Sequence, residues 1–174
     1  MKKPLSLNLP YPSFEEIVID KNSAKQISFL YAGRHGELNA ILQYTYHYFY
    51  FNRLGDKETS ESLMGIALSE MHHLKILGMV LLKAGIDPVY AGYLPFGCNF
   101  YKTDSVCYSK NAEKMLLDDI AGEMVAIDAY DKAIMGVSDD KIKAVLLRIK
   151  LDEELHVKVL RERLNFYSSE RKNI

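Results

Sequence analysis

Apolar and small positions recur at intervals of three, four or sums of these along four stretches of the chain, the period of a helix that buries one face. From Ser23 to about Asn52 the stripe passes through Leu30, Gly33, Ile41, Tyr44, Tyr48 and Phe51, and from Lys57 to Ala84 through Leu63, Ile66, Leu77 and Leu81. Ser109 to Met135 forms a third stretch. Ser138 or Asp139 caps a fourth, which continues to about Tyr167 through Ile142, Leu146, Ile149 and Leu160. The spacing predicts helices A, B, C and D over these spans. The alternation of Tyr44, Tyr46, Tyr48 and Tyr50 has the period of a strand, but it sits in a proline-free run of about 30 residues, whereas strands usually have about 3 to 10. Length decides for helix.

Between helices B and C, residues 85–108 carry Gly85, Pro88, Gly92, Pro95 and Gly97, too interrupted for a helix and too long for a tight turn. Such a loop is unusual in a compact domain, yet a four-helix bundle with one long crossover connection requires one. Residues 1–22 hold Pro4, Pro10 and Pro12 and read as an extended arm, with a capped turn at Ser13–Glu16 as the alternative. The expected architecture is all-α: a single bundle over residues 23–167, the arm before it and a frayed tail at 168–174.

Length and charge narrow the partners. At 174 residues the chain is one domain with one core. Twenty-two Lys and Arg against 23 Asp and Glu, with no basic stripe, give no footprint for nucleic acid. No uninterrupted apolar run approaches the roughly 18 residues of a membrane span. The N-terminal prolines interrupt any apolar leader, so a cytoplasmic chain is expected. Cys98 and Cys107 have no second pair to complete a thiolate metal site and read as free thiols in the loop.

The helices hide a repeat. Helix A contains Gly36-Glu37-x-x-Ala40-Ile41-x-x-Tyr44, and helix C contains Gly122-Glu123-x-x-Ala126-Ile127-x-x-Tyr130. Helix B carries Glu70-x-x-His73-x-Lys75-x-Leu77, and helix D carries Glu153-x-x-His156-x-Lys158-x-Leu160. The chain is written as two copies of one helical hairpin. Residues three apart share a helix face, so each Glu-x-x-His can point both side chains into one site. Glu37 and Glu123 lie in the apolar stripes of their helices. Four carboxylates in a bundle core repel one another and lose hydration at a cost of several kcal/mol each unless cations or protons compensate. Two divalent ions supply the balance. Pairing with Lys75, Lys158 or Arg34 is the plainer alternative, but these cations lie off the stripe.

This set of six resembles the ferritin-like superfamily of di-metal carboxylate bundles, nearest to rubrerythrin, bacterioferritin and the manganese catalases, over about residues 23–167. The resemblance implies that Glu37, Glu70, His73, Glu123, Glu153 and His156 bind two ions of iron or manganese, one or two of the glutamates bridging. It implies that Asp152 orients a ligand histidine, with Ser69 in that place in the first copy, and Tyr44 and Tyr130 stand as candidates around the ligands. Where rubrerythrin-like proteins have a further glutamate this chain has Ala126. In manganese catalases the second Glu-x-x-His glutamate tends to sit outside the ligand shell, which bears on Glu153. Met71 occupies the position of a bacterioferritin haem ligand but reads as a gap-filling core side chain, so haem is not expected. His35, His47 and His72 read as surface or packing histidines. The remaining tyrosines of helix A read as packing or oligomer surface, and a homo-oligomer is expected.

The function implied is an oxidoreductase acting on peroxide or O2, of peroxidase or catalase-like type, with an external electron donor for a peroxidase. A non-catalytic iron-binding or ferroxidase protein, and a structural coat protein retaining the site, are the alternatives.

Overall fold

The computed structural model describes residues 3–170 and contains five α-helices: α1 (Lys21–Ala32), α2 (Glu37–Arg53), α3 (Lys57–Lys83), α4 (Ala112–Gly136) and α5 (Asp140–Glu170). The expectation of one helix A is corrected to two. The chain leaves helical geometry between Gly33 and Gly36, both with extended ψ near 180°. A side chain at Gly36 would stand 2.4 Å from the Leu30 carbonyl oxygen, so only glycine permits this close return of the backbone. The apolar stripe continues across the break, which is why spacing alone runs the two helices together.

Side chains fix the helix starts. Asp20 accepts from the backbone N–H groups of Asn22 and Ser23, Asp56 from Thr59, Asn111 from Lys114, and Asp139 from Lys141 and Ile142. Helix α3 ends where Gly85 takes φ +71°, letting Ile86 N–H reach the Leu81 carbonyl. The Asp20 carboxyl is pulled down to about 2 by the Ser23 hydroxyl and backbone. Because the folded value lies below the unfolded one, this cap stabilises above about pH 4 and is lost as pH falls towards 2. Asp20→Ala is expected to cost about 1 kcal/mol at neutral pH in urea unfolding, with the difference vanishing in acid.

Helix α2 packs along α3 and α4 along α5, and the two hairpins meet through looser α2–α4 and α3–α5 seams. One apolar cluster lies on either side of the centre. Ile27, Leu77, Leu81, Leu146 and Ile149 belong to the first, and Phe51, Leu63, Ile66, Leu116 and Leu160 to the second. The long crossover carries a two-stranded hairpin, β1 (Ala91–Gly92) with β2 (Asn99–Phe100). Cys98 and Cys107, both free, lie in this crossover. The arm runs along the α3–α5 seam. Its Leu5 N–H donates to the Gly65 carbonyl, and Arg148 on α5 donates to the carbonyls of Leu7 and Leu9. Of the tail expected at 168–174, residues up to Glu170 continue α5 and the rest lie outside the described residues.

Helix α3 is, by length and composition, apolar enough to cross a membrane, contrary to what a search for uninterrupted apolar runs gives. It earns that average through a wide core face. Some 61% of its most apolar stretch is buried within the bundle, and the helix carries Glu70 and His73 inside.

Candidate metal centre

Six side chains converge between the two apolar clusters. Glu37 begins α2, Glu70 and His73 lie on α3, Glu123 on α4, and Glu153 and His156 on α5, all of them buried. His73 Nδ1 lies 2.9 Å from Glu70, 3.1 Å from Glu153 and 3.7 Å from Glu37. His156 Nδ1 lies 2.9 Å from Glu70, 3.2 Å from Glu153 and 3.7 Å from Glu123. The two environments are copies related through the centre. Their donors form two overlapping groups, Glu37–Glu70–His73–Glu153 and Glu70–Glu123–Glu153–His156, and Glu70 and Glu153 belong to both. Glu153 therefore stands between the two imidazoles, not outside them.

The far nitrogen of each imidazole sets its tautomer. His156 Nε2 is 2.9 Å from the Leu5 carbonyl, which can only accept, so Nε2 carries the hydrogen. His73 Nε2 is 3.2 Å from Asp152 Oδ2 and 3.2 Å from the Tyr11 hydroxyl, which itself donates to the same carboxylate oxygen at 2.5 Å. With its hydrogen on Nε2, each ring turns Nδ1 towards carboxylate oxygens, as a lone pair when neutral and as an N–H donor when protonated. Two of these oxygens, Oε1 of Glu70 and Oε1 of Glu153, are buried without a hydrogen-bond donor. Lone pairs facing lone pairs in a dry interior require a cation or protons between them. Oxygen and imidazole donors without thiolate suit iron or manganese, so the residues present fit such ions.

The titration of the cluster without cations shows the same frustration. Burial, and then the neighbouring carboxylates, push Glu37 and Glu123 well above the ordinary carboxyl range. Burial also works against an ionised Glu70, but a hydrogen bond shared with Glu37 and the charges of both imidazoles outweigh it and hold Glu70 low. Burial opposes charge on His73 and His156, yet the surrounding glutamates raise both well above the usual imidazole value. Protons occupy the place that cations would take.

Around the donors the hairpins cross-brace. Tyr44 of the first hairpin donates to Glu123 of the second, and Tyr130 of the second to Glu37 of the first. Both phenols are pushed well up, by burial first and by the adjacent glutamates next, and so stay protonated. Asp152 lies behind His73, accepts from Leu7 N–H at 2.8 Å and pairs with Arg148 at 2.8 Å. Ser69 is different. Its hydroxyl is 3.4 Å from His73 Nε2 and does not back His156, whose partner is the Leu5 carbonyl of the arm. Lys75, Lys158 and Arg34 are exposed and do not pair with the glutamates.

Tyr11, Arg148 and the Leu5 carbonyl are the functional groups that sequence reasoning missed. His47, read as a surface or packing histidine, is fully buried with Nδ1 2.8 Å from Asp119, which also accepts from Gln43 at 2.8 Å. Its Nε2 donates to the Cys107 carbonyl, so this pair ties the crossover to α2 and α4. His35 is exposed, and His72 is half-buried with its ring edge-on to Tyr11. Met71 is exposed.

A cavity of about 40 Å³ reaches the cluster through the α2–α4 seam. Ala40, Gly122 and Ala126 line it, with Glu37, Glu70, Glu123 and Glu153 on its inner side. The arm covers the opposite seam.

No family model matches the chain. A bacterioferritin from Rhodobacter capsulatus is 28% identical to it over 151 residues, spanning 84% of this chain and 87% of that protein. Among solved structures, wild-type KatB, a manganese catalase from Anabaena, superposes with a TM-score of 0.76 at 19% identity, covering 97% of this chain and 80% of that one. A second KatB structure, from Anabaena PCC7120, gives a TM-score of 0.76 over 93% of this chain. The likeness to these solved structures shows that the chain has the ferritin-like helical-bundle fold.

Proposed function

We propose that the chain is a di-metal carboxylate oxidoreductase acting on peroxide or O2. The observation that carries this reading is the pair of Nδ1 atoms directed at buried carboxylate oxygens, with both Nε2 atoms already engaged. Glu37 and His73 would hold one ion and Glu123 and His156 the other, with Glu70 and Glu153 shared. When bound, two iron or manganese ions supply the electrons and charge stabilisation for breaking an O–O bond.

The protein's own groups fix the geometry. Tyr130 and Tyr44 each take up one oxygen of Glu37 and Glu123, leaving the other, Oε2, facing the imidazole of its group. Asp152 and the Leu5 carbonyl keep the hydrogen on Nε2 and so keep Nδ1 free as a donor atom. The α2–α4 cavity is large enough for a molecule the size of peroxide or O2. The resemblance to bacterioferritin supports a second reading, oxidation and holding of Fe(II).

The test starts with protein purified without added metal, expected to contain about two ions of iron or manganese per chain. O2 release from peroxide alone identifies disproportionation, and peroxide loss only with a reductant identifies a peroxidase. Accumulation of many irons per chain replaces both by the second reading. Protein that binds neither metal when supplied in excess overturns the proposal. Chelation is expected to lower the melting temperature by several degrees, since ions that bind only the folded state stabilise it. An unchanged melting curve on demonstrated metal loss would count against a buried centre.

A further inference from the structure

The break between α1 and α2 opens a second, larger cavity that the di-metal centre does not use. It has a volume of about 560 Å³, within the range of small-molecule sites, and it lies between α1, the crossover hairpin and the outer face of α4. Its walls are Phe29 from α1, Phe100 from β2 and Val125 from α4. Phe100 and Val125 leave 63% and 46% of their surfaces exposed, a standing cost that a ligand would relieve.

The charged lining is one-sided. Arg34 comes from the α1–α2 link, Lys102 from the segment after β2 and Lys132 from α4, while Asp104 is the one carboxylate on the lining. None of the three cations forms a salt bridge with another group among the described residues, although Lys114, Lys141, Lys143 and Lys150 all do. Three separate elements thus bring unpaired cations to the rim of one aromatic-walled cleft. The Tyr101 hydroxyl, which donates to Asn39 at 2.8 Å, ties this segment of the crossover to α2 and holds the cleft in shape.

We propose that this cleft is a binding site for a planar aromatic anion, a conjugated ring system carrying a phosphate, sulfonate or carboxylate. The ring lies against Phe29, Phe100 and Val125, where stacking and apolar burial favour it. Its anionic group is held by Arg34, Lys102 and Lys132. The site goes beyond the di-metal reading and does not depend on it, because none of these side chains belongs to the metal cluster.

Fluorescence titration of the purified full chain with flavin mononucleotide and with 1-anilinonaphthalene-8-sulfonate tests it, with neutral riboflavin as the comparison. At least one of the two anions is expected to bind saturably at one site per chain, and riboflavin about tenfold more weakly than flavin mononucleotide if that is the anion bound. Replacing the exposed cations together, as Arg34→Gln, Lys102→Gln and Lys132→Gln, is expected to weaken the anions about tenfold. Val125→Trp, at a half-exposed position, fills the cleft and is expected to abolish binding. Absence of saturable binding by both anions overturns the proposal, as does binding that survives both the charge variant and Val125→Trp in protein with an unchanged circular dichroism spectrum. Titration with and without chelator separates this outcome from failure of the metal reading, since cleft binding is expected to be the same in both.

Discussion

Glu70→Ala is expected to reduce bound metal from two ions per chain to one or none, and Glu153→Ala to do the same, whereas Glu37→Ala or Glu123→Ala leaves one ion in place. The asymmetry follows from membership. Glu70 and Glu153 contribute an oxygen to both donor groups, but Glu37 serves only the group containing His73, and Glu123 only that containing His156. Removing a shared carboxylate takes one of four donors from each ion. Removing a terminal one leaves the other group complete. Under the proposed function, peroxide turnover is expected to fall to background in both shared variants, because the chemistry two ions would supply there draws on both. Metal analysis of the four variants by mass spectrometry checks the pattern, and full two-metal occupancy in Glu70→Ala and Glu153→Ala would refute the assignment.

Asp152→Ala is expected to destabilise the protein by about 3–5 kcal/mol, the range for breaking a buried ion pair by removing one partner. Asp152 is fully buried and meets four groups: Leu7 N–H, the Tyr11 hydroxyl, Arg148 and His73 Nε2. Without it Arg148 keeps its charge, with only the Leu7 and Leu9 carbonyls and the face of the Tyr11 ring, 4.4 Å away, for company. The arm loses two of its attachments at the same time. Hydrogen exchange at Leu7 is expected to accelerate markedly in the variant, and a protease is expected to cut within residues 3–12. Exchanging both partners for apolar residues, Asp152→Leu with Arg148→Leu, is expected to recover part of the stability, since no lone charge stays buried. A loss below about 1 kcal/mol with the Leu7 amide still protected would show that the arm is held by other means.

The helices and the six donors were legible in the sequence because both are local. Three-residue spacing puts Glu70 with His73 and Glu153 with His156, and the second copy of each motif removes the ambiguity that a single Glu-x-x-His carries. Tyr44 and Tyr130 were legible as neighbours of the centre, but not their exchange, since each reaches the glutamate of the opposite hairpin. The break at Gly33–Gly36 was hidden by a stripe that keeps its phase across it. The groups behind the imidazoles were hidden for another reason. Tyr11 lies 141 residues from Asp152, and the partner of His156 is a main-chain carbonyl, which has no letter in the sequence. His47 finds Asp119 on a helix 72 residues away, so no periodicity on α2 announces the pair.

That a backbone carbonyl backs one imidazole and a carboxylate the other gives the two halves unequal exposure to mutation. A codon change at Asp152 or Tyr11 can erase the support of His73 in a single step. No substitution at position 5 deletes the oxygen that serves His156, and even a proline there would keep it while giving up only the N–H bond to Gly65. Among descendants of this chain, drift should therefore reach the His73 side first, and the half anchored to the main chain should be the last to lose its geometry.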